Sequence, residues 1–65
     1  MHKSRLKEIR ESRGLSRSQL SEKSGVNIRT IEAYEQGLKD ISNASVSTVI
    51  ALADALDCGI RDIVE

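Results

Sequence analysis

Cys58 and His2 are the only thiol and the only imidazole in the sequence, and they limit the covalent and metal chemistry open to it. A single cysteine forms no intrachain disulfide, and one thiol with one histidine cannot complete a structural zinc site. Cys58 is expected as a reduced, partly buried thiol. His2 stands at the terminus, no carboxylate pair is arranged for acid–base work, and no glycine-rich phosphate loop occurs. These residues argue against an enzyme, and neither a cofactor nor a metal is expected. Tyr34 is the only aromatic residue, and one ring cannot form a stacking surface for single-stranded nucleic acid.

The chemistry that remains is charge. The net charge is zero, but its distribution is uneven. Residues 1–30 carry eight Lys and Arg (Lys3, Arg5, Lys7, Arg10, Arg13, Arg17, Lys23, Arg29) against three acids (Glu8, Glu11, Glu22), a balance of +5. Residues 31–65 carry Lys39 and Arg61 against seven acids, a balance of −5. A chain divided in this way can turn a cationic face to an anionic partner while staying neutral overall. The other reading is a chance distribution over solvated helix faces.

The elements that must position these charges are helical. The 65 residues make one domain, expected over 1–65, with no proline, tryptophan or phenylalanine. A domain of this size buries only about 60% of the surface its unfolded chain exposes, and its core must come from Leu, Ile and Val. Leu6 and Ile9 place a first helix at about Lys3 to Arg13, ended by Gly14. Ser16-Arg17-Ser18-Gln19 is a capping box, with Leu15 and Leu20 as its hydrophobic staple. A second helix follows from Arg17 to Ser24 and stops at Gly25. Asn27 is a good N-cap for a third, Ile28 to Gln36, with Val26, Ile31 and Tyr34 facing inward. Leu38 and Ile41 are expected to tuck inward from the loop at 38–44. Ser45 caps a fourth helix, where Val46, Val49, Leu52, Ala53 and Leu56 recur at helical spacing. It ends near Asp57 in a left-handed or turn conformation. Gly59 opens a last short helix, with Ile60, Ile63 and Val64 folding back on the core. No apolar run approaches the roughly 20 residues of a membrane span, and no signal-peptide pattern occurs at the N-terminus.

The stretch from Arg17 to Gln36 is two short helices joined by a tight turn at Gly25-Val26-Asn27. Leu20 and Ile31 plug the space between them, Ser21 is small where they cross, and Gly25 supplies the positive φ of the corner. With its flanks (Leu6-Lys7-x-Ile9-Arg10, Gly14-Leu15-Ser16, Gln19-Leu20-Ser21-Glu22-Lys23-Ser24-Gly25-Val26, Thr30-Ile31-x-x-Tyr34-Glu35-x-Gly37, Val49-x-Ala51-Leu52-Ala53-x-Ala55-Leu56) the sequence resembles the phage Cro/repressor helix-turn-helix family, the XRE family. The resemblance covers about residues 3–64. It implies an all-α, five-helix bundle of the lambda-repressor-like DNA-binding type, with the helix-turn-helix formed by helices 2 and 3.

The resemblance also implies roles. The family lays helix 3 in the major groove while helix 2 crosses the phosphate backbone. Ile28, Arg29, Glu32 and Ala33 then reach base edges, on a face that also holds Asn27 and Gln36. Arg29 could donate two hydrogen bonds to guanine, Glu32 could accept from cytosine, and Ile28 and Ala33 could meet a thymine methyl. Two of these stay open: Arg29 could contact phosphate instead, and Glu32 could be merely solvated or repel phosphate. Ser16, Arg17, Asn27, Thr30, Lys39 and Asn43 are the phosphate contacts. Arg17 replaces the glutamine of many relatives, and Asp40 makes the loop less basic than is usual. Arg10 and Glu35 occupy positions that pair in some relatives and are expected as a structural ion pair.

Two readings of function follow. One is a cytoplasmic, repressor-like transcription regulator binding double-stranded DNA in a sequence-specific way. It would act as a weak homodimer through Leu56, Ile60, Ile63 and Val64, although these four could equally close the core. The other is a protein-interaction module, antitoxin-like, that uses the same fold with weak DNA binding. The zero net charge and the thin basic loop support the second. The helix-turn-helix with its flanks supports the first.

Overall fold

Each helix begins or ends where a side chain or a left-handed residue satisfies the backbone. The computed structural model describes residues 5–64, so His2 and the expected helix start at Lys3 lie outside the described residues. Five α-helices follow one another: α1 (Leu6–Ser12), α2 (Arg17–Ser24), α3 (Ile28–Glu35), α4 (Val46–Leu56) and α5 (Ile60–Val64). A 3-10 turn at Ile41–Asn43 interrupts the connection from α3 to α4, and the described residues hold no strand.

The capping box at Ser16 has both of its arms. Ser16 Oγ accepts from the Gln19 amide at 3.1 Å, and Gln19 Oε1 accepts from the Ser16 amide at 2.8 Å. Asn27 caps α3 and Ser45 caps α4 through their side chains. Gln36, expected as the last helical residue of α3, is instead its C-cap. Beyond it Gly37 has φ +78, and the Leu38 and Gly37 amides turn back to the carbonyls of Ala33 (2.9 Å) and Tyr34 (3.3 Å). This bonding closes a helix through a left-handed residue.

Asp57 ends α4 with φ 53 and ψ 50, the left-handed conformation expected of it. The Cys58 amide then donates to Ala53 O at 3.0 Å. A left-handed non-glycine residue costs about 1–2 kcal/mol, more than the roughly 0.5–1 kcal/mol by which glycine favours the unfolded chain. Because the Asp57 side chain is exposed, Asp57→Gly is expected to stabilise the fold by up to about 1 kcal/mol. Thermal denaturation would show this as a rise in Tm of roughly 4–8 °C per kcal/mol.

The core gathers one apolar stripe from each helix. Leu6 and Ile9 come from α1, Leu20 from α2, Ile31 and Tyr34 from α3, Ile41 from the 3-10 turn, and Ile63 from α5. The largest share, Val49, Leu52, Ala53 and Leu56, comes from α4. Packing places α2 against both α3 and α4, α4 against α5, and α1 against α3 and α5. Two long-range hydrogen bonds to backbone carbonyls help close the bundle. Arg13 Nε donates to Leu56 O at 2.8 Å across α1 and α4, and the Arg5 amide donates to Ile63 O at 3.3 Å.

Three residues expected to face inward do not. Leu38 is 75% exposed, Val46 71% and Ile60 42%. Leu38 follows the left-handed Gly37, which turns the chain outward. Val46 and Ile60 are the first residues of α4 and α5, at helix ends that reach beyond the core. Burial pushes the Cys58 thiol up from its usual pKa, and the Asp62 carboxylate adds to the effect. Among the described residues no cluster of His, Cys, Asp and Glu could hold a metal ion, and no helix is long and apolar enough to cross a membrane.

Candidate nucleic-acid interface

The corner between α2 and α3 fixes the pose of α3. Gly25 has φ +75, and its amide donates to Ser21 O at 2.8 Å. No atom lies within 4 Å of where a β-carbon would stand, so the backbone angle, not space, demands glycine here. Ser21 does more than leave room for the crossing helices. Its hydroxyl donates to Val26 O at 2.6 Å, and Ser24 Oγ accepts from the Val26 amide at 3.1 Å. Sequence patterning could read the size of Ser21 but not its donor role, because the acceptor is a backbone carbonyl in the turn.

With that corner set, α3 buries Ile31, Tyr34 and Glu35. Its other face is partly exposed. Arg29 is exposed there, and Ile28, Glu32 and Ala33 are half-buried. These four expected base-reading residues stand together on one surface, because at 3.6 residues per turn positions 28, 29, 32 and 33 fall within less than half the helix circumference. Arg29 is the one basic residue of α3, and its side chain carries a planar fork of donors.

The expected phosphate-contacting residues are spread over several elements. Ser16 and Asn27 are exposed at the starts of α2 and α3, and Thr30 is half-buried. Asn27 Oδ1 accepts from the Arg29 amide at 2.8 Å, a bond that leaves the Asn27 amide NH2 as a donor for other partners. Lys39 and Asn43 are exposed and line a polar groove with Asp40 and Thr48. Asp40 Oδ1 accepts from the Ser42 amide at 3.0 Å and the Ser42 hydroxyl at 2.6 Å, so this acid caps the 3-10 turn.

The cations of the N-terminal half are more engaged than a count of charges suggests. Arg10 Nε donates to Glu35 Oε2 at 2.7 Å, Arg10 Nη2 to Glu35 Oε1 at 3.3 Å, and Arg10 Nη1 to Leu15 O at 2.7 Å. The Glu35 side chain is 0% exposed and that of Arg10 only 9%, so the two form a buried bidentate pair. The hydrogen bond to Glu35 raises the Arg10 pKa further, against the opposing pull of burial. Arg13 is spent on the end of α4. Arg17, expected at a phosphate, also meets carboxylates: its Nε donates to Glu35 Oε1 at 3.0 Å, and its Nη1 lies 3.8 Å from Glu32 Oε1. Sequence reasoning missed these partners of Arg17. The available signal was the spacing of Glu32 and Glu35, three residues apart along one edge of a helix.

Known proteins share this fold. The helix-turn-helix family model matches residues 6–63. The restriction-modification controller protein C.AhdI from Aeromonas hydrophila is 34% identical, with 89% of this chain and 83% of that chain covered and a TM-score of 0.78. The biofilm master regulator SinR, solved in complex with DNA, is 28% identical over 94% of each chain, with a TM-score of 0.84. The N-terminal DNA binding domain of SinR from Bacillus subtilis is 28% identical over 94% of this chain and 86% of that one, with a TM-score of 0.83. Curated proteins give no match.

Proposed function

The chain belongs to the helix-turn-helix family, and on that premise we propose that it is a transcription regulator that binds double-stranded DNA with α3 in the major groove. One observation carries the reading: Ile28, Arg29, Glu32 and Ala33 share one partly exposed face of a helix whose pose is fixed by the Gly25 corner. An α-helix fits the major groove, and a guanidinium fork matches the two acceptors of guanine. The likeness to SinR, solved with DNA, supports this use of the fold. The phosphate contacts in this reading are Ser16, Arg17, Asn27, Thr30, Lys39 and Asn43. The reading asks for binding alone, without catalysis, and places the protein with the genome in the cytoplasm.

Selection of bound duplexes from a random library tests it. A defined site should be enriched, and affinity should fall as salt rises, because phosphate contacts release counterions. Arg29→Ala is then expected to cost about 1–3 kcal/mol at one base pair, roughly 5- to 160-fold in Kd. Loss of preference at that base pair marks base readout. An equal loss on all sequences would reassign Arg29 to phosphate. Enrichment of no site, even at low salt, would overturn the reading and favour a protein partner instead.

A homodimer on an inverted repeat completes the proposal, since one small domain makes few phosphate contacts. Of the four residues expected at the dimer face, Leu56 and Ile63 are 1% and 0% exposed and offer no surface. Ile60 and Val64 remain, beside Val46 on the rim of an apolar groove. Ile60→Asp is expected to abolish self-association in sedimentation and to weaken binding to a two-half-site duplex more than to a single half-site. A strict monomer at high micromolar concentration, both free and on DNA, would refute the dimer.

A further inference from the structure

The guanidinium of Arg17 has one fixed end and one loose end. Glu35 is wholly enclosed, held by Arg10 in a bidentate grip, and its Oε1 anchors Arg17 Nε at 3.0 Å. The other end of the guanidinium, Nη1, stands 3.8 Å from Glu32 Oε1, beyond hydrogen-bond range. The Arg17 and Glu32 side chains are 35% and 40% exposed, so a ligand can reach that end. Glu32 also sits on the proposed base-reading face, where an uncompensated carboxylate would oppose the approach of DNA.

We infer that Arg17 is a specificity-determining residue that acts through Glu32. In the free protein Arg17 offsets the Glu32 charge. On a duplex, its Nη end passes to a backbone phosphate while Nε stays on Glu35. Glu32 is then free to accept from a base amino group in the major groove. The exchange is favourable because an exposed ion pair at this distance is weak, whereas a charge-assisted bond from arginine to phosphate is strong. The anchored Nε leaves little side-chain freedom to be lost on binding. Phosphate contact and base selection are thereby coupled through one side chain that touches no base. This inference rests on the DNA-binding reading above.

The test is a double-mutant cycle on the library-selected duplex. Kd is measured by fluorescence anisotropy for the unsubstituted protein, Arg17→Ala, Glu32→Gln and the double variant, on duplexes carrying each base pair in turn beneath α3. Arg17→Ala is expected to weaken binding about tenfold, the scale of a lost charged contact. It should also sharpen the preference at the base pair that Glu32→Gln flattens, because over a base without an amino donor Glu32 then has no cation to return to. In the Arg17→Ala background, Glu32→Gln should restore affinity, with a departure from additivity of more than about fivefold. Arg17→Lys keeps the charge but cannot hold Glu35 and a phosphate together, so it should recover affinity without restoring the original base preference. Thermal melts separate folding from recognition, since Glu35 keeps Arg10 in every variant. Additive losses, or an unchanged base preference in Arg17→Ala, would overturn the coupling while leaving DNA binding intact. Failure of the unsubstituted protein to select any duplex would overturn both.

Discussion

Glu35→Ala is expected to destabilise the protein by about 3–5 kcal/mol, because it leaves the Arg10 guanidinium buried without its carboxylate. A domain of this size lies at the low end of the usual 5–15 kcal/mol of stability, so most of the fold's margin goes with it. Urea or thermal denaturation followed by circular dichroism would show a transition shifted far down or lost. The cost comes from halving the pair, not from the pair's own worth. Replacing both partners, Arg10→Met with Glu35→Leu, should therefore retain more stability than either single change, since buried ion pairs often do no better than apolar packing. A double variant as unstable as Glu35→Ala would locate the loss elsewhere, in the bond from Arg10 Nη1 to Leu15 O or in the anchor of Arg17.

Leu20→Ala is the second large effect, about 2–5 kcal/mol. Leu20 is the one buried residue of the eight in α2, and it is 0% exposed. It alone fills the space that α2 shares with the core, so no neighbour on the helix can compensate. What remains to hold α2 is polar: the capping box at Ser16, the left-handed Gly25, the bond from Ser21 to Val26 O and the bond from Arg17 to Glu35, together worth only a few kcal/mol. Because α2 also supports α3, loss of structure in α2 should reach the proposed DNA-binding face. Leu38→Ala is the matched control. It removes the same side chain from a site that is 75% exposed, and its expected change is within about 0.5 kcal/mol. Equal losses for the two would sink the packing argument.

Much of this molecule could be read from its residue order, for local reasons. The capping box, the N-caps Asn27 and Ser45, the Gly25 corner and the left-handed Asp57 all depend on residues within one helical turn of each other. The inward stripes of α3 and α4 followed from their period. Two kinds of feature escaped. Leu38, Val46 and Ile60 are apolar, yet helix ends and a left-handed turn carry them past the core, which residue type and period do not encode. Arg13 and Arg17 carry charge that counting assigned to a surface, while the fold directs Arg13 to a carbonyl 43 residues away and Arg17 to carboxylates on another helix. The pairing of Arg10 with Glu35 across 25 residues was expected only through family resemblance. The partly exposed face of α3 was legible because it lies on a single helix. Its electrostatic surroundings were not, because they are assembled from three.

The bond from the Arg5 amide to Ile63 O joins the two extremities of the described chain. With α1 also lying against α5, the polypeptide is in effect a ring with one cut, and the cut lies beside its own seam. The terminal helices lean on each other as well as on the core. They should fray together, as a single unit, or not at all.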